Sequence, residues 1–387
     1  MHSDNSYDIA IIGGGISSCV FASTHIKNGF DGKIAIIENG RKLGGRSSTR
    51  NSFNNIGWEL NHGSPNFNIC NKTNNHLLQS FIQELLDSKI IESDTSDVID
   101  LKENHLFETR INSDFLCCSN YIPRSSMSEL SQKIISKENL NDQVKYFFET
   151  LIVKLNYDNN RWILTSKNGN KFKTKFLICS SNLILHKRSL DILKVNQIPL
   201  RKAIPENNDK KIDKIINLLT KQDYVQRLTF LIYTKINYCY KDNYKNKFRY
   251  FILSKLLEEK FKFERIIFQK QSNNNLGIVI HTKNNEFIEE FFHFQNKDKF
   301  KEKILINFNQ LFDKSNFINK LNDYQDLSIM IWRASQPSGL AIPEVLQVCE
   351  NYNIAFCGDW FDFEGFGRIE GAILSALKLS CKINSIS

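Results

Sequence analysis

The sequence predicts an α/β fold, a Rossmann-like dinucleotide-binding domain carrying an inserted α+β domain with a mixed sheet. Three observations carry this prediction. Residues 7–18 run from an apolar strand through a glycine turn into a helix-like stretch. Residues 34–38 form a second apolar run that closes on an acid. Far along the chain, residues 354–360 read as a buried strand ending in Gly358-Asp359. At 387 residues, two domains are the default expectation.

Taken in order, the first element is the strand ending at Ile12, followed by Gly13-Gly14-Gly15. Glycines there let the backbone turn sharply and approach a pyrophosphate, and the helix that follows aims its N–H groups and positive dipole end at the phosphates. Gly13, Gly15, Ile16, Ser17 and Ser18 are therefore candidate cofactor contacts. Ser18 stands where a third glycine is usual, and serine is the next smallest polar residue. Ile16, Cys19, Val20 and Ile26 give the following stretch an apolar side. Glu38 ends the second strand, where a carboxylate accepts hydrogen bonds from a ribose.

Next comes Leu43-Gly44-Gly45-Arg46-Ser47-Ser48-Thr49, which reads as a second phosphate cradle. Arg46 can grip a phosphate with two N–H bonds, and hydroxyls such as Ser47 add donors. Residues 76–86 carry apolar side chains at helical spacing and are expected to begin the excursion into the substrate domain. Residues 147–155 and 161–165 read as strands joined by the turn Asp158-Asn159-Asn160, and 175–179 as a strand returning to the cofactor sheet. Residues 186–329 alternate strands (229–233 and 277–281 among them) with Lys/Asn-rich loops, and 300–312 fits an amphipathic helix. After Gly358-Asp359, a helix opens with small residues, so that Arg368, Ile369 and Ala372 flank another part of the same ligand. The glycine turn alone does not distinguish FAD from NAD; the second cradle and the Gly358-Asp359 segment point to FAD. The predicted division is 1–75, 108–185 and 330–387 for a Rossmann-like FAD-binding domain, and 76–107 with 186–329 for the inserted α+β substrate-binding domain.

Composition removes several classes. Hydrophobic residues make up 41% of the chain, enough for ordinary cores, yet no apolar run approaches the roughly 18 residues of a membrane span, so no stable membrane insertion is expected. The first apolar run is the cofactor strand itself and lacks the charged lead of a signal peptide. Nine cysteines have no regular spacing and form no Cys-x-x-Cys pair, which argues against metal and disulfides and for a reduced, cytoplasmic protein. The net charge of +9 has two readings, attraction of an anionic dinucleotide or phosphorylated substrate and solvated basic faces, and the second is favoured because the lysines are spread through 133–260 and mixed with acids. No nucleic-acid motif accompanies it.

A dinucleotide fingerprint at one end and Gly-Asp…Glu-Gly-Ala at the other resembles the two-domain FAD-dependent amine-oxidase superfamily. Within it, more of the chain is similar to renalase and its bacterial and plastid relatives. The carriers are Gly44-Gly45-Arg46-Ser47-Ser48-Thr49-Arg50, the 59–67 segment with His62 and Gly63, Ser126-Met127-Ser128-Glu129-Leu130, Ile278-Val279-Ile280-His281-Thr282 and Trp332-Arg333-Ala334-Ser335-Gln336. Ser64, Pro65 and Asn66 replace the Ala-Gln-Tyr of the renalase pattern. The resemblance implies that Asp359 contacts the ribityl–pyrophosphate region, that the Ile152 backbone meets the adenine, and that His62 and Gly63 pass near the flavin. It also implies the reaction: 2- or 6-dihydro isomers of NAD(P)H pass a hydride to flavin N5, giving NAD(P)+, and O2 reoxidises the flavin to yield H2O2. Such a donor needs no base. Polar groups that orient a substrate are few in a pocket of this kind, and His281, His62 and Arg333 are the candidates for them. Two other readings stand beside this one: a flavin amine oxidase or desaturase of the same superfamily, acting on an amine or apolar substrate, and a flavin-binding protein without turnover.

Overall fold

In the computed structural model, residues 5–51, 58–70, 75–103, 107–109, 118–137, 142–235, 248–272, 274–282, 285–313 and 320–384 are described. Two large sheets organise them. The first has eight strands, with Ser6–Ile12 near its centre flanked by Ile34–Ile37 on one side and Lys171–Cys179 on the other, both parallel to it. Val144–Phe147 adds a further parallel strand beyond Ile34–Ile37. Lys171–Cys179 spends its outer edge on two partners: Arg161–Ser166 pairs antiparallel with its first half, and Ile354–Phe356 pairs parallel with its second. Ile9, Ala10, Ile11 and Ile34 to Ile37 are all buried, as near-continuous apolar runs should be in a parallel sheet covered on both faces. Helix Ile16–Lys27 packs against helix Ile369–Asn384, so the beginning and end of the described chain close one core.

The second sheet has seven strands in the order Asp326–Ser338, Asp223–Lys235, Asn275–Thr282, Arg265–Lys270, Phe248–Leu253, Asp97–Leu101, Phe107–Thr109. All its pairings are antiparallel except Phe248–Leu253 with Asp97–Leu101, so the sheet is mixed as predicted. Side chains alternate across it. Leu228, Phe230, Ile232, Ile278 and Ile280 face a core closed by helices Lys255–Phe261, Asn285–His293 and Lys297–Phe312. Leu231, Tyr233, Ile267 and Val279 face the other way, onto Trp58 and Leu60 from the first half of the chain. A Cβ at Gly277 would lie 1.8 Å from Leu60 Cδ2, so a larger residue there would displace the Leu60 side chain from the contact between the two halves.

Several elements differ from expectation. Helix His76–Asp87 does not leave for the second sheet; Leu78, Phe81, Ile82 and Leu85 are buried in the first core. The same holds for helix Lys210–Lys221, whose Ile212, Ile215, Ile216 and Leu219 join that core. The stretch 147–155 is not one strand. Val144–Phe147 ends, Glu149 takes a left-handed φ of 52°, and Ile152–Asp158 begins. Strand Asp326–Ser338 lies wholly in the second sheet, whereas the sequence pattern places 330 onward with the cofactor domain. Among the described residues no helix is long and apolar enough to cross a membrane.

Candidate active site

The two glycine loops meet. Gly13 N–H donates to Ile37 O (2.9 Å) and Gly44 N–H to Gly14 O (2.8 Å), fastening the turn after Ser6–Ile12 to the loop after Ile34–Ile37. Glu38 is held from two sides, accepting from Gly14 N–H (2.6 Å) and Gly40 N–H (2.5 Å). A carboxylate has about four lone-pair sites, so two stay open for ribose hydroxyls. A Cβ on Gly15 would meet no other part of the structure within 4 Å, and one on Gly45 would lie 3.3 Å from Gly15 Cα. Helix Ile16–Lys27 starts at Gly15 with no side chain capping it. Its positive end and first-turn N–H groups therefore look onto glycine-lined space, the setting a diphosphate requires. The residues fit FAD in this respect.

Ser18 explains its own departure from glycine. It is fully buried, and its hydroxyl donates back to Gly15 O (2.8 Å). Ser17 Oγ lies 2.9 Å from Ser180 Oγ at the end of the neighbouring strand. The close helix–strand approach is kept and both hydroxyls are satisfied.

Arg46 and Asp359 bring the far end of the chain to this place. Arg46 Nη2 pairs with Asp359 Oδ1 at 2.5 Å, and Nη1 donates to Ser335 O at 3.2 Å. Asp359 is almost wholly buried and Arg46 partly exposed, so the pair neutralises a carboxylate that would otherwise repel an anionic ligand. Tyr224, absent from the sequence-based candidates, joins them. Burial pushes its phenol up to about 12, and Arg188, Arg46 and Asp359 all act on it by charge. The Arg188 guanidinium sits over the Tyr224 ring at 4.1 Å. Glu149 N–H and Thr150 N–H donate to Gly40 O and Glu38 O (2.9 Å each), which brings the backbone before Ile152 alongside the ribose-side carboxylate.

A profile of the NAD(P)-binding Rossmann-like domain matches residues 11–85. No curated protein matches the chain. Among solved structures, wild-type putrescine oxidase bound to putrescine is similar over 98% of this chain and 99% of that one, with a TM-score of 0.66 and 10% identity. A putrescine oxidase triple mutant redesigned in cofactor binding gives a TM-score of 0.68 at 11% identity, covering 99% of each chain. A candidate protoporphyrinogen oxidase from Exiguobacterium sp. 255-15 gives 0.66 at 10% identity, covering 100% of each. The chain has the putrescine oxidase fold.

Within this fold the remaining candidates fall into two groups. His62 and Gly63 lie on the segment that crosses from the glycine loops to the second sheet. His62 N–H donates to Ser48 O (3.0 Å), and a Cβ at Gly63 would come within 2.0 Å of Arg46 O. The His62 ring lies 5.2 Å from that of Trp332. Burial, then Arg50 and Lys42, lower its pKa to about 4, so it is neutral at pH 7. Ser47 is buried in the same loop.

The second group has its described contacts elsewhere. His281 is buried with both ring nitrogens engaged: Nδ1 accepts from Arg265 Nε (2.8 Å), and Nε2–H donates to His62 O (3.0 Å). It orients the His62 peptide and offers a ligand no nitrogen. Arg333 is exposed on the opposite face of its strand from Trp332, with its guanidinium 6.0 Å from the Phe292 ring. Arg368 pairs with Glu370 (2.7 Å), whose other oxygen accepts from Cys70 N–H (2.7 Å). Ile369 opens helix Ile369–Asn384 against the first core, and Ala372 N–H bonds back to Arg368 O. These three residues secure the helix terminus. Period-two alternation along 277–281 and 329–333 was the available signal for His281 and Arg333; it separates facing from opposed side chains once the sheet partners are known.

Proposed function

We propose that this chain is an FAD-dependent oxidoreductase, with FAD lying across the Gly15–Gly45 junction, its ribose at Glu38 and its diphosphate at the start of helix Ile16–Lys27. The observation that carries the reading is that junction: two glycine loops hydrogen-bonded together, an uncapped helix end facing open space, and an Arg46–Asp359 pair beside it whose carboxylate is buried. Flavin, when bound, supplies the hydride acceptor. The chain binds it, orients it and excludes water around it.

For the substrate we propose the renalase-type reaction on 2- or 6-dihydroNAD(P), with O2 as the oxidant of the reduced flavin and H2O2 as its product. A dihydropyridine expels hydride with the push of its own ring nitrogen, so no residue need take a C–H proton. The histidines support this. His281 has no nitrogen to spare, and His62 is held neutral beside Lys42 and Arg50. An amine oxidase is the second reading, favoured by the fold shared with putrescine oxidase over nearly the full length of both chains. The cationic neighbours of His62 favour an anionic dinucleotide over a cationic amine.

Anaerobic mixing tests both. The purified protein is expected to be yellow with FAD and to bleach with 2- or 6-dihydroNAD(P) and not with putrescine. Bleaching by putrescine alone transfers the proposal to the amine-oxidase reading. A colourless, folded protein that takes up no FAD in excess removes it.

A further inference from the structure

A small sheet beside the first core holds Phe67–Cys70, Cys118–Pro123 and Ile91–Ser93, in that order. Its first two strands run antiparallel, and their register sets Phe67 against Tyr121, Asn68 against Asn120 and Cys70 against Cys118. Opposed residues share a face of the sheet, and the Phe67 and Tyr121 rings do meet, 5.7 Å apart. Phe67 and Ile69 are buried in the first core, whereas Asn68 and Cys70 point to the other face and are half-buried. Two cysteines far apart in the sequence therefore stand opposite each other on that outer face, both thiols and both partly exposed.

The backbone bonds say which kind of pair this is. Opposed residues either exchange both N–H···O bonds, with Cα atoms about 5.5 Å apart, or exchange neither, at about 4.5 Å with closer side chains. Cys70 N–H turns away from Cys118 and donates to Glu370 Oε1 (2.7 Å). Asn120 O turns away from Phe67–Cys70 as well, accepting from Asp94 N–H (2.8 Å), and Cys118 stands two residues before Asn120 and faces the same way. The cysteines are thus a pair of the closer kind. A disulfide spans Cα separations of about 4.4–6.8 Å, so a bridge closes here without moving the strands apart or together by much.

We infer that Cys70 and Cys118 are a modification site, oxidised by peroxide to a disulfide that added thiol reverses. One thiolate attacks a peroxide oxygen, the O–O bond breaks, hydroxide leaves and the sulfur becomes a sulfenic acid. The second thiol attacks that sulfur, the S–S bond forms and water leaves. Counting the first thiol's proton, two thiols and one H2O2 give one disulfide and two waters. The bridge bears on the neighbouring site. Cys70 N–H holds Glu370, which pairs with Arg368 at the start of helix Ile369–Asn384, so the bridge pins the strand on which that helix start rests. That the peroxide comes from the protein's own turnover rests on the flavoenzyme reading; the bridge itself does not.

The test uses the full chain loaded with FAD, with Cys117→Ser so that the tryptic peptide 111–124 carries one cysteine. The protein is treated with H2O2, blocked with iodoacetamide, digested without reductant and read by mass spectrometry. Peptides 51–72 and 111–124 are expected to appear linked, and to appear separate when dithiothreitol follows the peroxide before blocking. Cys381, exposed on the last helix, reports general oxidation. Adding Cys118→Ser is expected to abolish the link and leave Cys381 oxidation unchanged. Unlinked peptides in a sample whose Cys381 is oxidised, or a link that dithiothreitol does not reverse, overturns the inference. Linking in a chain that takes up no FAD leaves the bridge standing and removes the flavoenzyme reading. A flavin-loaded chain that turns over and never links removes the bridge alone.

Discussion

Gly63 has the carbonyl of Arg46 where a side chain would go, at 2.0 Å from an added Cβ. Gly63→Ala must push the two loops apart, and urea unfolding should show a loss of about 2 kcal/mol; an unchanged midpoint would show that the loops are not in contact. Asp359 acts at the same scale. Asp359→Ala leaves Arg46 without its carboxylate and loosens the loop from the segment around Gly358, where φ is +150° and a Cβ would strike Trp360 Nε1. On the proposed reading, FAD affinity drops more than about tenfold, measured by fluorescence on reconstituting the apoprotein; unaltered uptake would take Asp359 out of the cofactor site. Residues of this kind were legible in the sequence because turn chemistry is local. The motifs that contain Gly13, Gly15, Glu38, Gly44, Gly45 and Arg46 are recognisable from residues a few positions away, although the contacts that join them reach across the chain. Arg368 was not legible, since its partner Glu370 is buried where it accepts from Cys70 N–H on the distant strand Phe67–Cys70.

Strands and helices show where pattern reading stops. Short apolar runs mark 229–233 and 277–281 as strands in the sequence, and the structure extends them to Asp223–Lys235 and Asn275–Thr282. Which face meets which partner is not. Helix His76–Asp87 has a clear apolar stripe, but the stripe says nothing of whether the first or second core receives it. His281 likewise sat on a recognisable strand, and only the arrival of the 58–63 segment turns it into a link between the two halves. His281→Leu removes that link and leaves His62 O and Arg265 Nε without partners in a buried place. The expected loss is about 2–3 kcal/mol, seen in urea unfolding, with the absorbance of any bound flavin disturbed less than stability. A loss confined to within about 0.5 kcal/mol would mean the two halves are joined elsewhere.

At the scale of the whole molecule, four histidines among the described residues are buried and held neutral. Burial lowers His25 and His62 to about 4, lowers His186, and takes His281 well down from 6.5. The unfolded chain takes up these protons once pH falls below about 6.5, while the folded chain refuses them. Stability is therefore complete above that value and is lost as pH falls toward about 4. Melting temperature should decline over this range and stay level above it; a flat profile from about pH 7 to about pH 5 would contradict the buried, neutral assignment. The architecture at this scale was legible from its two glycine-marked ends and the strand-rich middle, whereas the border between the halves was not, because it is drawn by packing between distant segments. The late pairing of Ile354–Phe356 with Lys171–Cys179, and of helix Ile369–Asn384 with helix Ile16–Lys27, also governs how the protein is made. Until those residues leave the ribosome, half a strand edge and one side of the first helix are bare, which exposes the nascent chain to aggregation. A premature stop before Ile354 should thus yield inclusion bodies rather than a weakened product.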